Sequence, residues 1–471
     1  MLFIEGEGHM TRYQQLAEQL KLQIKSGIWR SGEKVPSVRV TSRNCSVSAS
    51  TVLQAYQLLE SKGWLVAKPQ SGFFVTPIMD RVLLESCEKF IRPKYNDKLY
   101  EFLQSNTNVG IALGCAFPDP DLFPLQSLNR HLASAGRKMP TQSVFNNMPP
   151  GNESLRRQIA QRYINHGLTV SHDDIVITSG AMEALNLSLQ VVTNPGDSVV
   201  IEAPAFYGAI QAIERLGLKA IEVPVDLEEG LLVDQFEKLI SQNNIRACWL
   251  MPSFHNPTGT CLSTEKRRKI IELAKQYHLA VVEDDVYSEL YFGELRPIPL
   301  KYWDEEDRVL LCGSFSKSLC PGYRIGWVVN RKLHQRLEKA QLVSTLSGSV
   351  PVQEGVAHFL QYESLDSHYR KLRKELSYRQ QSFIEVLQRH IPANVKMTLP
   401  RGGYFIWLKL GEKIDTYRMY RNLKMKGISI AYGCLFSARE KFQDCMRLNT
   451  SYEMTPELAK AIKHIAMEVN G

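Results

Sequence analysis

The chain has 471 residues, 44% hydrophobic and 23% charged, and its 57 basic against 49 acidic side chains leave a net charge of +8. That length corresponds to two or three domains, and that composition excludes wholesale disorder, collagen-like repeats and low-complexity polymers. Nine scattered cysteines without a CxxC pair argue against a disulfide framework or a metal site and fit the reduced thiols of a cytoplasmic protein. No apolar run approaches the roughly 18–20 residues that cross a bilayer, and the N-terminus lacks the charged-then-apolar layout of a secretion signal.

Half of the excess charge lies in the first sixth of the chain. Residues 1–75 hold nine Lys and Arg against five Asp and Glu, a net of +4. Residues 1–10 are assigned no element. From Tyr13, Leu16, Leu20, Ile24 and Ile28 recur about every four residues, which predicts a helix closed by Gly27 and Gly32. Pro36-Ser37 opens a second short helix over Val38 to Cys45, and Ser48 or Ser50 caps a third, in which Val52, Tyr56 and Leu59 share a face and Gly63 ends the run. Two short strands follow, Trp64–Ala67 and Gly72–Val75, with Lys68-Pro69-Gln70-Ser71 as the hairpin tip. Three short helices and a basic hairpin predict a winged helix-turn-helix over 11–77. Ser48, Ser50 and Thr51 offer hydroxyls and free N–H groups at a helix entry, Arg39, Arg43 and Lys68 offer phosphate neutralisation, and the small Ser71 and Gly72 permit close backbone approach to double-stranded DNA.

Pro36-Ser37-Val38-Arg39, Val47-Ser48-Ala49-Ser50-Thr51-Val52, Ala55-Tyr56, Leu59-Glu60, Gly63-Trp64 and Ser71-Gly72-Phe73-Phe74-Val75 resemble the GntR family of bacterial transcription regulators over about 65 residues. One departure is Ala49, where such proteins often carry Arg or Lys.

Residues 78–107 have balanced charge and little periodicity. Val82, Leu83 and Phe90 suit a short helix interrupted by Pro77 and Pro93, and the stretch reads as a linker with partial structure. From 108 to 471 the chain alternates. Strand-like runs at Ile175–Thr178, Ser198–Ile201, Ala247–Met251, Leu279–Val282 and Arg308–Leu311 are separated by helical stretches such as Glu183–Val191, Ala209–Arg215 and Glu265–Tyr277. This predicts an α/β domain with a mostly parallel, buried sheet. No P-loop, strand-linked GxGxxG or HExxH occurs, so the usual signatures of nucleotide hydrolysis, nicotinamide chemistry and zinc proteolysis are missing.

Polar clusters follow successive strands, at the edge where open α/β sheets bind ligands. They are Ser179-Gly180-Ala181-Met182, Asn256-Pro257-Thr258-Gly259, Glu283-Asp284-Asp285-Val286-Tyr287, and Gly313-Ser314-Phe315-Ser316-Lys317 with Arg324 beyond. The set suits pyridoxal 5′-phosphate. Its aldehyde needs an amine for an internal Schiff base, the role expected of Lys317, and its pyridine nitrogen needs a carboxylate, Asp284. Asn256 and Tyr287 offer donors to the ring oxygen. Gly180, Ala181, Ser314, Ser316 and Arg324 suit the phosphate, and Phe206 suits a ring face.

The same blocks, with Pro204-Ala205-Phe206, resemble fold-type I aminotransferases over about residues 110–471. The resemblance implies a small C-terminal α/β subdomain and an Arg for a substrate carboxylate, matched by Arg447 in Met446-Arg447-Leu448-Asn449. Three positions depart from that family: Ala181-Met182 where a hydroxyl is frequent, Phe206 where Tyr is common, and Asn146 or Asn147 where a partner-subunit Tyr is often found. The composite resembles the MocR (PdxR-like) subfamily of GntR regulators. That resemblance implies a cytoplasmic homodimeric transcription regulator that binds a DNA operator and senses a small effector (an amino acid, an amine or the cofactor itself). The alternative is an active aminotransferase with a secondary DNA-binding module.

Overall fold

The apolar face of the first helix finds its partners within 60 residues. In the computed structural model, which describes residues 11–76, 97–105, 110–142 and 148–470, helix α1 (Arg12–Lys25) turns Leu16, Leu20 and Ile24 inward, and Gln14 Oε1 accepts from the Thr11 N–H at 2.9 Å. The chain leaves the helix at Lys25 and Gly27 takes φ +78. Ile28, expected on the helix face, therefore stands on a loop and is exposed: the apolar spacing outlasts the helix. Helix α2 (Val38–Cys45) is capped by Ser37, which accepts from Val40 N. Helix α3 (Ala49–Ser61) is capped by Ser48, not Ser50, with Ser48 Oγ accepting from Thr51 N at 3.1 Å. Val52, Ala55, Tyr56 and Leu59 of α3 are buried against α1, with Trp64 and Val75 in the same core. Strands β1 (Leu65–Lys68) and β2 (Gly72–Val75) pair antiparallel with Lys68 opposite Gly72. Gln70 and Gly72 at the tip have positive φ, a conformation glycine adopts without the steric cost of a side chain.

The chain divides into two compact units, 1–94 and 95–471. Val82, Leu83, Phe90, Pro77 and Pro93 of the expected connector lie outside the described residues, as do Asn146 and Asn147. Within the stretch read as linker, Asp97–Ser105 is a helix, and its Leu99 and Phe102 belong to the C-terminal core. Phe102 meets Tyr420 and Tyr432 edge-on, with ring centroids 6.0 Å apart in both pairs.

The larger unit is built on an eight-stranded sheet. After the short β3 (Ile111–Ala112) come β4 (Ile175–Thr178), β5 (Ser198–Ala203), β6 (Lys219–Asp226), β7 (Gly230–Leu231), β8 (Ile245–Leu250), β9 (Ala280–Asp284), β10 (Val309–Ser314) and β11 (Gly326–Val329). The spatial order is β4-β11-β10-β9-β8-β5-β6-β7. Strands β10, β9, β8, β5 and β6 are mutually parallel, whereas β11 runs against both its neighbours and β7 against β6. All four residues of β4 and all six of β10 are buried, as expected of a sheet covered on both faces. A second, four-stranded antiparallel sheet, β12 (Lys396–Met397), β13 (Phe405–Lys409), β16 (Cys445–Asn449) and β15 (Ala431–Tyr432), forms the C-terminal subdomain, and β14 (Ile428–Ser429) pairs with β3. Among the described residues no helix is long and apolar enough to cross a membrane.

Candidate functional site

The N-terminal unit presents its polar residues outward. Arg39 and Arg43 are exposed on α2, and Ser48, Ser50, Lys68, Ser71 and Gly72 are exposed at the head of α3 and on the hairpin; Thr51 is half-buried. Ser48 Oγ lies 2.8 Å from both Ser50 Oγ and Thr51 Oγ1, so the three hydroxyls form one cluster at the helix entry. The Lys68 ammonium stands 4.6 Å from the centre of the Phe74 ring and that of Lys34 6.0 Å, so one aromatic face gathers two cations on the hairpin. Lys34 was not singled out in the sequence. A bridge pairing it with Phe74 brings it there.

The larger unit gathers its polar residues at one edge of the main sheet. Thr178, Ala203, Leu250, Asp284 and Ser314 end β4, β5, β8, β9 and β10, and the clusters beyond them carry Gly180, Phe206, Asn256, Tyr287 and Lys317. Because β11 runs the opposite way, Arg324 enters this edge just before its first residue. Backbone approach is close here. A Cβ on Gly180, whose φ is +89, would stand 2.4 Å from Arg324 Nη2, and one on Gly326 would stand 2.4 Å from the carbonyl carbon of Gly180. Glycine is therefore required at both positions. Gly180 caps the helix Ala181–Val192, and Arg324 Nη2 donates to the Ser179 carbonyl at 3.1 Å. Ser314 Oγ lies 2.9 Å from Ser316 Oγ and accepts from Ser316 N at 3.0 Å. Met182 and Phe206 both border Gly208, and the Phe206 ring lies 4.7 Å from that of Tyr207.

Lys317 Nζ donates to the Ala116 carbonyl at 2.6 Å, 4.1 Å from the Phe117 ring and 5.7 Å from the Tyr287 ring. Burial among these groups draws its ammonium down to about 7. Asp284 is buried; burial raises its carboxyl to about 7 against the pull of Lys317, the Val286 N–H and the Trp249 indole, and no hydrogen bond of ordinary geometry reaches Oδ1 among the described residues. Tyr287 is buried with its ring edge-on to Tyr404 and Phe405, and burial raises its phenol well above the ordinary value. Arg447 is fully buried. Its Nη1 donates to Asn256 Oδ1 at 2.7 Å and its Nη2 to the Gly114 carbonyl at 2.5 Å, whereas Nε has no partner among the described residues. Since Asn256 spends its oxygen on Arg447, its amide nitrogen is left as the donor.

Sequence reasoning missed several contributors. The segment Gly114–Phe117 supplies two carbonyls and a ring, and Asn449 Nδ2 holds it by donating to the Cys115 and Phe117 carbonyls at 3.2 and 2.7 Å. Tyr404 Oη donates to the Ala116 carbonyl at 3.1 Å. Glu183 takes the Ser179 N–H and the Thr345 hydroxyl. Main-chain carbonyls leave no residue signature, and only the Gly and Pro punctuation of Leu113-Gly114-Cys115-Ala116-Phe117-Pro118 marks an irregular segment. Beneath the strand ends, Glu289 lies between Arg162, at 2.6 Å, and Arg296, at 3.6 Å. Burial alone would raise the Glu289 carboxyl, but Arg296 and Arg162 hold it down at about 2. Arg296 also donates to Asp285 Oδ2 at 3.1 Å and Ser288 Oγ at 2.8 Å.

Two family profiles match the chain: bacterial regulatory proteins of the gntR family over residues 12–75 and aminotransferase class I and II over residues 124–465. The chain is 44% identical, over 97% of its length and 98% of the relative's, to an uncharacterized HTH-type transcriptional regulator, YdcR, of Escherichia coli. It is 33% identical to aromatic-amino-acid aminotransferase 1 of Thermococcus litoralis over 76% of the chain and 87% of that protein. Among solved structures, kynurenine aminotransferase of Pyrococcus horikoshii aligns with a TM-score of 0.75 at 31% identity, covering 82% of this chain and 98% of that one. LysN of Thermus thermophilus, an α-aminoadipate aminotransferase complexed with N-(5′-phosphopyridoxyl)-L-leucine, aligns with 0.74 at 28%, covering 80% and 95%.

Proposed function

Because this chain belongs to the GntR-type helix-turn-helix regulators that are fused to an aminotransferase class I and II domain, we propose that it is a transcription regulator of the MocR type, holding pyridoxal 5′-phosphate through Lys317 and responding to a small amino compound or to the cofactor itself. Two units of different chemistry in one chain are what this reading requires, and its main support lies in the larger one. There an amine drawn to about 7 shares the strand-end cluster with a buried carboxylate oxygen, Asp284 Oδ1, that no hydrogen bond of ordinary geometry reaches among the described residues. A buried acceptor left unpaired is costly, so a donor from a ligand is the natural complement.

On this reading Lys317 holds the cofactor, Asp284 meets its pyridine nitrogen, and the Asn256 amide and Tyr287 hydroxyl meet its ring oxygen. Gly180, Ala181, Ser314, Ser316 and Arg324 would surround its phosphate, Met182 would border the cofactor, and Phe206 would cover a ring face. Once bound there, pyridoxal 5′-phosphate supplies a carbonyl that condenses with amines and a ring that accepts electrons. Arg447 would orient an amino acid by its carboxylate, using guanidinium donors that now meet Asn256 and Gly114 and, at Nε, no hydrogen-bond partner among the described residues. Lys317, whose ammonium is drawn down to about 7, is able to give up and take up a proton at Nζ near neutral pH. Two copies of the chain would set two N-terminal units on two half-sites, where Arg39, Arg43, Lys68, Ser71 and Gly72 meet phosphates and Ser48, Ser50 and Thr51 line the helix entry. An effector shifts the arrangement only through its differential affinity for the two states.

The same Lys317, Asp284 and Arg447 constellation favours a second reading, a working aminotransferase. Incubation with a panel of amino acids separates the two. A single stoichiometric release of keto acid fits a sensor, and sustained turnover with a keto-acid acceptor makes the enzyme the main role. The test of the first reading has two arms. The protein loaded with pyridoxal 5′-phosphate should be yellow, and Lys317→Ala should be colourless. Gel shifts against the protein's own upstream DNA should weaken steeply with salt, and more weakly bound complexes should follow from Arg39→Ala and Lys68→Ala. A colourless loaded protein, or salt-sensitive binding unchanged in both variants, overturns the corresponding half.

A further inference from the structure

The helix that enters DNA in a helix-turn-helix reads bases with whatever its outward face carries, chiefly near its N-terminus. Here that face is α3, and it is unusual in its chemistry. None of the nine Lys and Arg residues of 1–75 falls within Ala49–Ser61. Over Ala49–Gln57 the face opposite buried Val52, Ala55, Tyr56 and Leu59 is made of Ala49, Ser50, Leu53, Gln54 and Gln57, all exposed, Leu53 by 41%; beyond them Glu60 is half-buried and accepts from the Ala67 N–H at 2.9 Å, and Ser61 is exposed. At 100° per residue these five positions fall within one arc of the helix, and from Ala49 to Gln57 the arc extends about 12 Å, or three to four stacked base pairs. The cations stand elsewhere, with Arg39 and Arg43 on α2 and Lys34 and Lys68 over the Phe74 ring of the hairpin.

Resting on the DNA-binding reading above, we propose that α3 reads an A·T-rich half-site, with Gln54 and Gln57 as the adenine-reading carboxamides and Ala49 and Leu53 packed on thymine methyl groups. The argument is one of matching edges. Guanine shows two acceptors, N7 and O6, in the major groove, and the side chains that meet both are Arg and Lys, which this face lacks. Adenine shows an acceptor, N7, beside a donor, N6, and a carboxamide carries the complementary donor and acceptor on one plane. Thymine alone adds a methyl group, which favours apolar partners, and Ala49 and Leu53 are exposed with no other evident use. Ser50 accepts either kind of edge and does not oppose the assignment. In this division of labour the cations set affinity and α3 sets sequence.

The test is selection by the full-length protein from a pool of duplexes randomised across one half-site, at several salt concentrations. The expected result is three to four adjacent A·T pairs. Gln54→Ala should lose about 5- to 140-fold discrimination against G·C at one of them, the range for one bidentate pair, with the salt dependence unchanged. Gln54→Arg should convert that position to guanine. A G·C core selected by the wild-type protein overturns the proposal, and so does an A·T core whose preference survives intact in Gln54→Ala and Gln57→Ala, since the preference would then come from DNA shape. If no duplex is retained even at low salt, the DNA-binding reading itself falls and takes this inference with it. A retained pool with the wrong core leaves that reading standing.

Discussion

The two units of this chain solve opposite recognition problems. The N-terminal unit keeps its core dry and its polar side chains wet: Arg39, Arg43, Ser48 and Lys68 are exposed, and the strength of any phosphate contact depends on counterions it displaces. The larger unit does the reverse. Asp284, Asn256, Tyr287 and Arg447 are at most 2% exposed, and no hydrogen bond of ordinary geometry reaches two of their polar atoms among the described residues. A long, uniform polyanion can be met by a surface with no special pocket. A small molecule has few atoms, and each must be met by a group already desolvated and aimed. It follows that damage to the first unit should be graded and salt-dependent, and damage to the second should be steep and largely indifferent to salt.

The sharpest way to break this contrast is to remove one arginine beneath the strand ends. Arg296→Ala leaves Asp285 and Glu289 short of a buried cation, and should lower the stability of the larger unit by about 3–5 kcal/mol. Thermal unfolding should show that loss with little change on raising salt, while binding of DNA by the folded protein is unaffected. Next in size, Arg447→Ala should weaken binding of amino acids about 10- to 150-fold through loss of a charged hydrogen-bonding partner, and should leave binding of the corresponding amines much less changed. Equal loss for both would remove the carboxylate assignment.

The third measurement uses pH. Burial lowers the Lys317 ammonium from 10.5 to about 7, so the folded protein binds fewer protons there than the unfolded chain, and the neutral amine predominates above about 7. Capture of pyridoxal 5′-phosphate by cofactor-free protein needs that neutral amine. Its rate should climb about tenfold from about pH 6 to about pH 8 and then level off. A rate still climbing toward pH 10 would mean an unperturbed lysine. The smallest effect belongs to the N-terminal unit. Ser48→Ala removes the α3 cap and should lower that unit's stability by about 1 kcal/mol, read from its own denaturant transition. A loss as large as that of Arg296→Ala would erase the contrast between the two units.

Legibility in the sequence followed the same division. Helices α2 and α3 are announced by Pro36-Ser37 and Ser48, because capping is local chemistry that the chain states where it happens. Five strands of the main sheet, β4, β5, β8, β9 and β10, were equally readable as short apolar runs between helices, whereas β6 (Lys219–Asp226), with charged residues at both ends and only partial burial, and β11 (Gly326–Val329) did not stand out. The helix Asp97–Ser105 was hidden because the face it covers is completed by Tyr420 and Tyr432, more than 300 residues away, and two apolar positions do not make a period. Ile28 erred the other way: its spacing fits the helix, but Gly27 turns the chain out first. At the strand ends, Lys317, Asp284 and Asn256 stood out by residue type. The groups that hold Lys317 and Arg447 in place did not, because a carbonyl belongs to every residue alike.

Those carbonyls carry a last consequence. Gly114 and Ala116 sit two positions apart on one strap of chain and accept from two cations of the site, Arg447 and Lys317. The protein thus carries its own competitor. A carboxylate that takes the Gly114 side of Arg447, or a carbonyl compound that takes the Lys317 amine, replaces a hydrogen bond to a main-chain oxygen. The strap continues through Pro118 and Phe123 into the helix Leu125–Lys138. The affinity measured for a ligand is therefore the balance of an exchange of hydrogen bonds rather than the filling of a void.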